Sequence, residues 1–271
     1  MSEPDARRIE PGLPRRFTAA LVYYLPSILV MLGIVLAWQA AVVMLGVKEY
    51  ILPTPWAALQ KLSDSNYQWT ANFLATLYAV LGAFVLSAVL GILLAIVVVW
   101  NDLLLRTVMP VLVLFNTLPK IALAPLFVVW LGYGIWPNIL IGTTIAFFPM
   151  VVNTAVGLAA AEPEMLDLVR TLRASRWNVL RKIRFPNAIP YIFVGLKLNA
   201  TMSVIGALVG EFVASERGLG SLIITGGVTM ETASIFASLI LISFLGLALY
   251  GIVVAVERVV APWAHRENAG N

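Results

Sequence analysis

Long uncharged apolar stretches alternate with short charged segments along the chain. Residues 17–47 contain no charged side chain, and neither do residues 65–101. A third uncharged stretch, 121–161, is too long for one membrane crossing and contains a turn signature at Gly132 and Gly134. Because about 20 mostly apolar residues cross a bilayer as a helix, the pattern predicts an all-α membrane protein. The six predicted spans are 22–45, 72–99, 105–131, 137–159, 188–212 and 234–257.

The composition excludes an ordinary soluble domain. Hydrophobic residues make up 61% of the 271 residues and charged residues only 12%, whereas a soluble domain is about 25% charged. The chain has no cysteine and one histidine, His265, so we expect neither a metal site nor catalytic residues. The net charge of +4 bears on membrane orientation rather than on nucleic acid, which we do not expect as a partner.

The basic residues predict the orientation. With the N-terminus in the cytoplasm, 13 of the 18 Lys and Arg residues fall in cytoplasmic segments. Only Lys48, Lys61 and Arg217 fall in outer loops, while Lys120 and Lys197 lie within spans. Cytoplasmic loops carry such an excess of basic residues, so both termini are predicted to be cytoplasmic. The predicted organisation is a tail over 1–20, a six-span domain over 21–260 and a tail over 261–271.

One predicted cytoplasmic loop, residues 162–188, has the pattern of a structured element. Met165, Leu168 and Leu172 recur with helical spacing, and Ser175 is a candidate N-cap for a second helix. Pro186 and Pro190 are expected to end the segment before the fifth span. This loop is either an amphipathic connector on the lipid surface or an element that docks on a cytoplasmic partner.

Small residues recur every four positions along the second span, at Ala71, Ala75, Ala79, Ala83, Ser87, Gly91 and Ala95. Small residues let helix backbones approach closely in lipid, so we interpret this stripe as a packing surface. On the fifth span, Asn199, Ser203, Gly206 and Gly210 share a face. That face is either close packing or the lining of a pathway.

Several polar residues fall at membrane depth. Asn116 and Lys120 flank Pro119 in the third span, and Pro125 follows. Either Lys120 extends to the interface, or the prolines break the helix where it lines a cavity. Lys197 is interpreted as extending to the interface. Glu211 either pairs with Arg217 or shapes an outer gate.

Short motifs in this order and spacing resemble those of one transporter family. They are Leu52-Pro53-Thr54-Pro55-Trp56, Leu118 to Leu126, Trp130-Leu131-Gly132-Tyr133-Gly134, Gly210-Glu211-Phe212 with Gly218-Leu219-Gly220, and a loop pattern of Asp167-Leu168-Val169, Arg173, Ile183 and Phe185-Pro186. Over residues 20–260 the chain resembles type I permeases of binding-protein-dependent ABC importers. The similar branch is that for nitrate, sulfonate and taurine, including its pyrimidine-precursor and riboflavin members. The loop departs from the family pattern at Arg173, which stands where the family usually has glycine.

The resemblance implies a permease fold with a coupling loop, 162–188, that seats on an ATP-binding subunit. The implied coupling residues are Asp167, Arg170, Thr171, Arg173, Ala174, Ser175, Trp177 and Pro186. The candidate pathway residues are Asn116, Lys120, Asn199, Ser203 and Glu211. At Arg173, either the residue accepts a strained left-handed conformation, or the turn is less sharp, or the side chain contacts the partner.

The resemblance also implies partners and a location. These are a second copy of the permease, two ATP-binding cassette subunits, an extracytoplasmic binding protein and the lipid of a bacterial plasma membrane. No Gly-x-x-x-x-Gly-Lys-Ser/Thr loop occurs in the chain, so ATP and magnesium would be bound by the partner, and the chain itself is not an enzyme. The alternative is a self-sufficient secondary transporter or channel, which would use a relay of intramembrane acids or internal repeats.

Overall fold

The computed structural model describes residues 13–263, apart from the side chains of 13–24, 102 and 170. Regular structure in this range is helical. The helices are α1 (Leu13–Met44), α2 (Pro55–Lys61), α3 (Trp69–Val99), α4 (Asp102–Thr117), α5 (Ala124–Leu131), α6 (Ile135–Ala159), α7 (Pro163–Thr171), α8 (Arg176–Val179), α9 (Phe185–Ala214), α10 (Leu219–Thr229) and α11 (Thr232–Val260). Short 3-10 turns lie at Ser65–Tyr67 and Lys120–Leu123, and a π-helical turn lies at Leu180–Arg184.

The six predicted spans correspond to α1, α3, the pair α4 and α5, α6, α9 and α11. Five of these are single apolar helices long enough to cross a membrane. Helices α4 and α5 meet at a bend of 79°, and together they make a sixth span if the bent pair is counted as one. The bend lies at Leu118 and Pro119, where the prolines predict a break.

Helices α3, α6 and α9 form the centre of the fold. Their small residues let the backbones come close, most closely where Gly206 of α9 faces Gly142 of α6. A Cβ atom added to Gly206 would lie 2.5 Å from the Cα atom of Gly142. The predicted stripe of α3 is buried from Ala79 to Ala95, which confirms its interpretation as a packing surface.

The N-terminal helix lies at the edge of this bundle. Helix α1 begins at Leu13, within the predicted tail 1–20, so the last residues of that tail are helical. From residue 25 to 44 nearly all of its side chains are exposed, and Val42 is the buried exception. Residues 1–12 and 264–271, including His265, lie outside the described range.

Two short helices were not expected from the sequence. Helix α2 begins after Thr54, whose side chain accepts a hydrogen bond from the Ala57 amide at 3.1 Å. The pair Thr54-Pro55 is a helix-start signal that could have predicted it. Helix α10 has 11 residues, too few to cross a bilayer, and it packs between α9, α3 and α11.

Candidate functional site: the loop between α6 and α9

The loop between α6 and α9 contains two short helices joined by a tight turn. Helix α7 ends at Thr171 and α8 begins after Ser175. The Ser175 hydroxyl accepts a hydrogen bond from the Asn178 amide at 3.3 Å. The predicted N-cap is thus confirmed, and it sets the direction in which the chain leaves the turn.

Arg173 adopts the left-handed conformation that glycine takes most readily. Its φ angle is +54°, and the Ala174 amide donates to the Val169 carbonyl at 3.0 Å. This six-to-one hydrogen bond after a helix, around a left-handed residue, defines a Schellman motif. The sequence left open whether Arg173 is strained or the turn is less sharp. In the structure the turn is sharp and Arg173 accepts the strained conformation. Its side chain is exposed.

Replacing Arg173 by glycine is expected to stabilise the turn. The left-handed conformation costs a non-glycine residue about 1–2 kcal/mol, partly offset by the greater freedom of glycine in the unfolded chain. We expect R173G to slow hydrogen exchange at the Ala174 amide severalfold. The control is R181G, the same chemical change within a helical turn, which should speed local exchange; faster exchange in R173G would contradict the expectation.

Helix α7 has two apolar faces. Leu166 and Val169 face the end of α3 across a cleft. The predicted stripe points away from the bundle: Met165, Leu168 and Leu172 are 48%, 60% and 70% exposed. The exposed apolar stripe is available to lipid or to a partner protein.

The second half of the loop continues directly into a span. The helix runs unbroken from Arg176 to Ala214 through the π turn, so the expectation that Pro186 and Pro190 would end the segment is wrong. The π turn lies just before Pro186 and relieves the clash of a proline ring with the carbonyl one turn earlier. Trp177 also contacts Trp100 at the end of α3, with ring centroids 6.4 Å apart. A displacement of α8 would therefore be transmitted to α9 and α3.

The predicted coupling residues lie along this loop. Asp167 and Thr171 are on exposed positions of α7, and the Thr171 hydroxyl donates to the Asp167 carbonyl at 3.0 Å. Ala174 and Trp177 are exposed as well. The side chain of Arg170 lies outside the described part of the structure.

The candidate pathway residues of the third span lie at the bend between α4 and α5. The Lys120 ammonium group donates to the side-chain oxygen of Asn116. Asn116 and Pro119 are exposed on the surface of the single chain, and Lys120 is half-buried. The bend thus presents an amide and a cation together on irregular backbone.

Asn199 and Ser203 lie inside the bundle rather than on its surface. Both are fully buried. The Asn199 side-chain oxygen accepts from Ser203 Oγ at 3.0 Å and lies 2.7 Å from Ser87 Oγ. Its Nδ2 group donates to the Phe84 carbonyl at 3.2 Å. For these two residues the geometry favours close packing of α9 on α3 over lining a pathway.

Glu211 is directed at the start of α10. It is 2% exposed, and its Oε2 atom accepts from the Gly220 amide at 2.7 Å. Gly218 has a φ of +125°, and a Cβ there would lie 2.4 Å from the Glu211 carboxyl carbon. The carboxylate therefore holds α10 on α9, while Arg217 points to the exposed surface.

Lys197 forms an ion pair that the sequence did not reveal. Its Nζ atom lies 2.6 Å from Oε2 of Glu257 on α11, and the two side chains are 24% and 6% exposed. The side chain of Lys197 therefore has a protein partner on α11, close to the end of that helix at Val260. The pair neutralises two charges at the junction of α9 and α11.

Breaking this pair on one side is expected to destabilise the bundle strongly. E257Q would leave the Lys197 cation without its partner, at a cost of about 3 kcal/mol in the free energy of unfolding. The double variant K197M/E257M should lie within about 1 kcal/mol of the wild type, because no unpaired charge is left. Unfolding in detergent mixtures measures both, with R258Q at the adjacent exposed position as control; an E257Q effect no larger than that of R258Q would contradict the expectation.

Within the described residues, no three His, Asp or Glu side chains come together as metal ligands would. The arrangement is one of packed spans, a broken span and an exposed loop. The family model for the inner membrane component of binding-protein-dependent transport systems matches residues 87–265. The chain belongs to this family. The resemblance inferred from the motifs is confirmed.

Three relatives align with most of the length of the permease. It is 32% identical to the formylaminopyrimidine transport permease protein ThiX of Halalkalibacterium halodurans, over 87% of this chain and 94% of ThiX. It is 33% identical to the riboflavin transport system permease protein RibX of Chloroflexus aurantiacus, over 83% and 85%. The putative aliphatic sulfonates transport permease protein SsuC of Bacillus subtilis is 25% identical over 96% and 92%.

Proposed function

We propose that the permease is the membrane subunit of an ATP-driven importer. It forms the pathway for a small solute delivered by an extracytoplasmic binding protein, and two ATP-binding cassette subunits supply the energy. The observation that carries this proposal is the loop between α6 and α9. It exposes an apolar stripe on α7 and continues without interruption from α8 into a span.

The loop has the mechanical properties that coupling requires. A partner seated on Leu168 and Leu172 would bury apolar surface, which contributes about 25 cal/mol per Å². Movement of that partner would displace α8, and the displacement would pass to α9 through continuous helix and to α3 through the Trp100 and Trp177 contact. A connector that only rests on lipid would not need this connection to two spans.

The proposed location is the bacterial plasma membrane with both termini and the loop in the cytoplasm. The basic residues support this orientation, since Arg176, Arg181, Lys182 and Arg184 all follow the loop turn. The short helices α2 and α10 then lie on the outer side, where a binding protein would dock.

The proposed assembly contains two copies of the permease around a two-fold axis. In each copy the bend between α4 and α5 exposes Asn116, beside the half-buried Lys120. A charge at membrane depth is costly unless it reaches water or a partner group, and irregular backbone is tolerated where it lines a cavity. We therefore place the bend on the pathway, with Asn199, Ser203 and Glu211 maintaining the packing behind it.

The proposed substrate is a pyrimidine- or flavin-type heteroaromatic, and the other candidates are nitrate-, sulfonate- or taurine-like anions. The names of ThiX and RibX, which are 32% and 33% identical to this chain, support the first class. The name of SsuC, which is 25% identical, supports the second class of substrate.

The decisive experiment is uptake by proteoliposomes that contain the permease, its ATP-binding subunits and its binding protein. Formylaminopyrimidine, riboflavin and taurine are supplied outside, with ATP or a non-hydrolysable analogue inside. We expect uptake of one heteroaromatic only with hydrolysable ATP. Uptake by the permease alone, driven by a proton or sodium gradient, would instead establish the secondary transporter.

A further inference from the structure

A cleft of about 330 Å³ separates the loop from the end of α3. One wall is Val99, Trp100 and Asn101, where α3 passes into α4. The other wall is formed by α7, α8 and the π turn, and it includes Arg176 and Arg184. The cleft lies on the face of α7 that carries Leu166 and Val169, and the exposed stripe of α7 does not line it.

The polar groups of this cleft are donors. Neither Arg176 nor Arg184 forms an ion pair with any residue whose side chain is described. Asn101 uses its side-chain oxygen to cap α4, accepting from the Leu103 amide at 3.0 Å, which leaves its NH₂ group as a donor. Two guanidinium groups and an amide suit an anion with several oxygen acceptors.

The remaining walls of the cleft are apolar. Val99, Trp100, Leu166 and Leu180 line it, and Trp177 contacts Trp100. Tryptophan is enriched at the level of lipid headgroups, and basic pockets between spans on the cytoplasmic side bind anionic headgroups. This lining suits a ligand that combines an anionic headgroup with an apolar body.

We propose that this cleft binds a phosphate group, carried by an anionic phospholipid of the adjoining leaflet. The headgroup bridges Asn101 at the end of α3 and Arg176 on α8, and so holds the loop against the span. The proposal rests on the proposed function only in assigning the lipid to the cytoplasmic leaflet. Lipid binding itself needs neither ATP nor a partner subunit.

The test uses the full-length chain in nanodiscs of equal parts phosphatidylcholine and phosphatidylglycerol. Native mass spectrometry counts the phosphatidylglycerol that each chain retains, without ATP or partner subunits. The first variant is N101D, which keeps the cap of α4, since Asp and Asn cap helices equally well, but places a negative charge in the cleft. We expect retained phosphatidylglycerol to fall roughly tenfold; unchanged retention in N101D would overturn the proposal.

A matched pair of double variants separates the cleft from general surface charge. R176Q/R184Q and R181Q/K182Q each remove two positive charges from the same helical segment, but only the first pair lines the cleft. We expect roughly tenfold loss in the first and less than about twofold in the second. Equal losses would overturn the proposal. If added inorganic phosphate displaces the lipid, the cleft is still a phosphate site, but its ligand is a soluble phosphate.

Discussion

The substitution G206L should prevent the assembly of the membrane bundle. Gly206 and Gly142 meet where α6 and α9 approach most closely, and even a single Cβ there would lie 2.5 Å from the facing Cα atom. Carbon atoms pack best at about 3.5–4.0 Å, so the two helices would have to separate by about 1 Å or more. Since α3 packs on both helices, the whole three-helix centre would be disturbed.

We expect G206L to lose more than about 3 kcal/mol of unfolding free energy, at or beyond the usual upper limit for overpacking. The measurement is the yield of monodisperse protein together with its thermal denaturation in detergent. The matched control is G251L in α11, where a Cβ would meet no atom within 4 Å and the side chain would face outward. A G206L protein as stable as G251L would refute the packing described here.

The substitution L168D should uncouple ATP hydrolysis from the permease. Leu168 is 60% exposed at the centre of the α7 stripe, and no described apolar side chain covers it in the single chain. If the stripe seats on an ATP-binding subunit, an aspartate there places an unpaired charge in a buried interface, at a cost of several kcal/mol. We expect a fall of more than about tenfold in co-purified ATP-binding subunit and in stimulated ATP turnover.

The matched control for L168D is N178D, which adds the same charge to the same loop on an exposed position of α8. We expect near wild-type association for N178D. The permease alone should be equally stable in all three forms, because neither side chain is part of the core. Wild-type turnover in L168D would assign the stripe to lipid and would reopen the secondary-transporter alternative.

Much of the fold follows from patterns of short range in the sequence. Uncharged apolar runs must be helical in lipid, because each backbone polar group has to be satisfied within its own segment. The spans, the break at Pro119 and the cap at Ser175 could therefore be predicted, since each depends on residues within about one or two turns. The small-residue stripe of α3 likewise indicated a packing surface, although it did not identify α6 and α9 as the neighbours.

The sequence by itself thus determined the long apolar helices, the break at Pro119, the structured loop and the family. Only the tertiary structure decided the partners of the polar residues within the spans. Lys197 pairs with Glu257 sixty residues away, Asn199 bonds to α3, and Glu211 holds the start of α10. These contacts depend on which helices are adjacent and how each is rotated. Spacing along one helix shows which residues share a face, but not what that face meets.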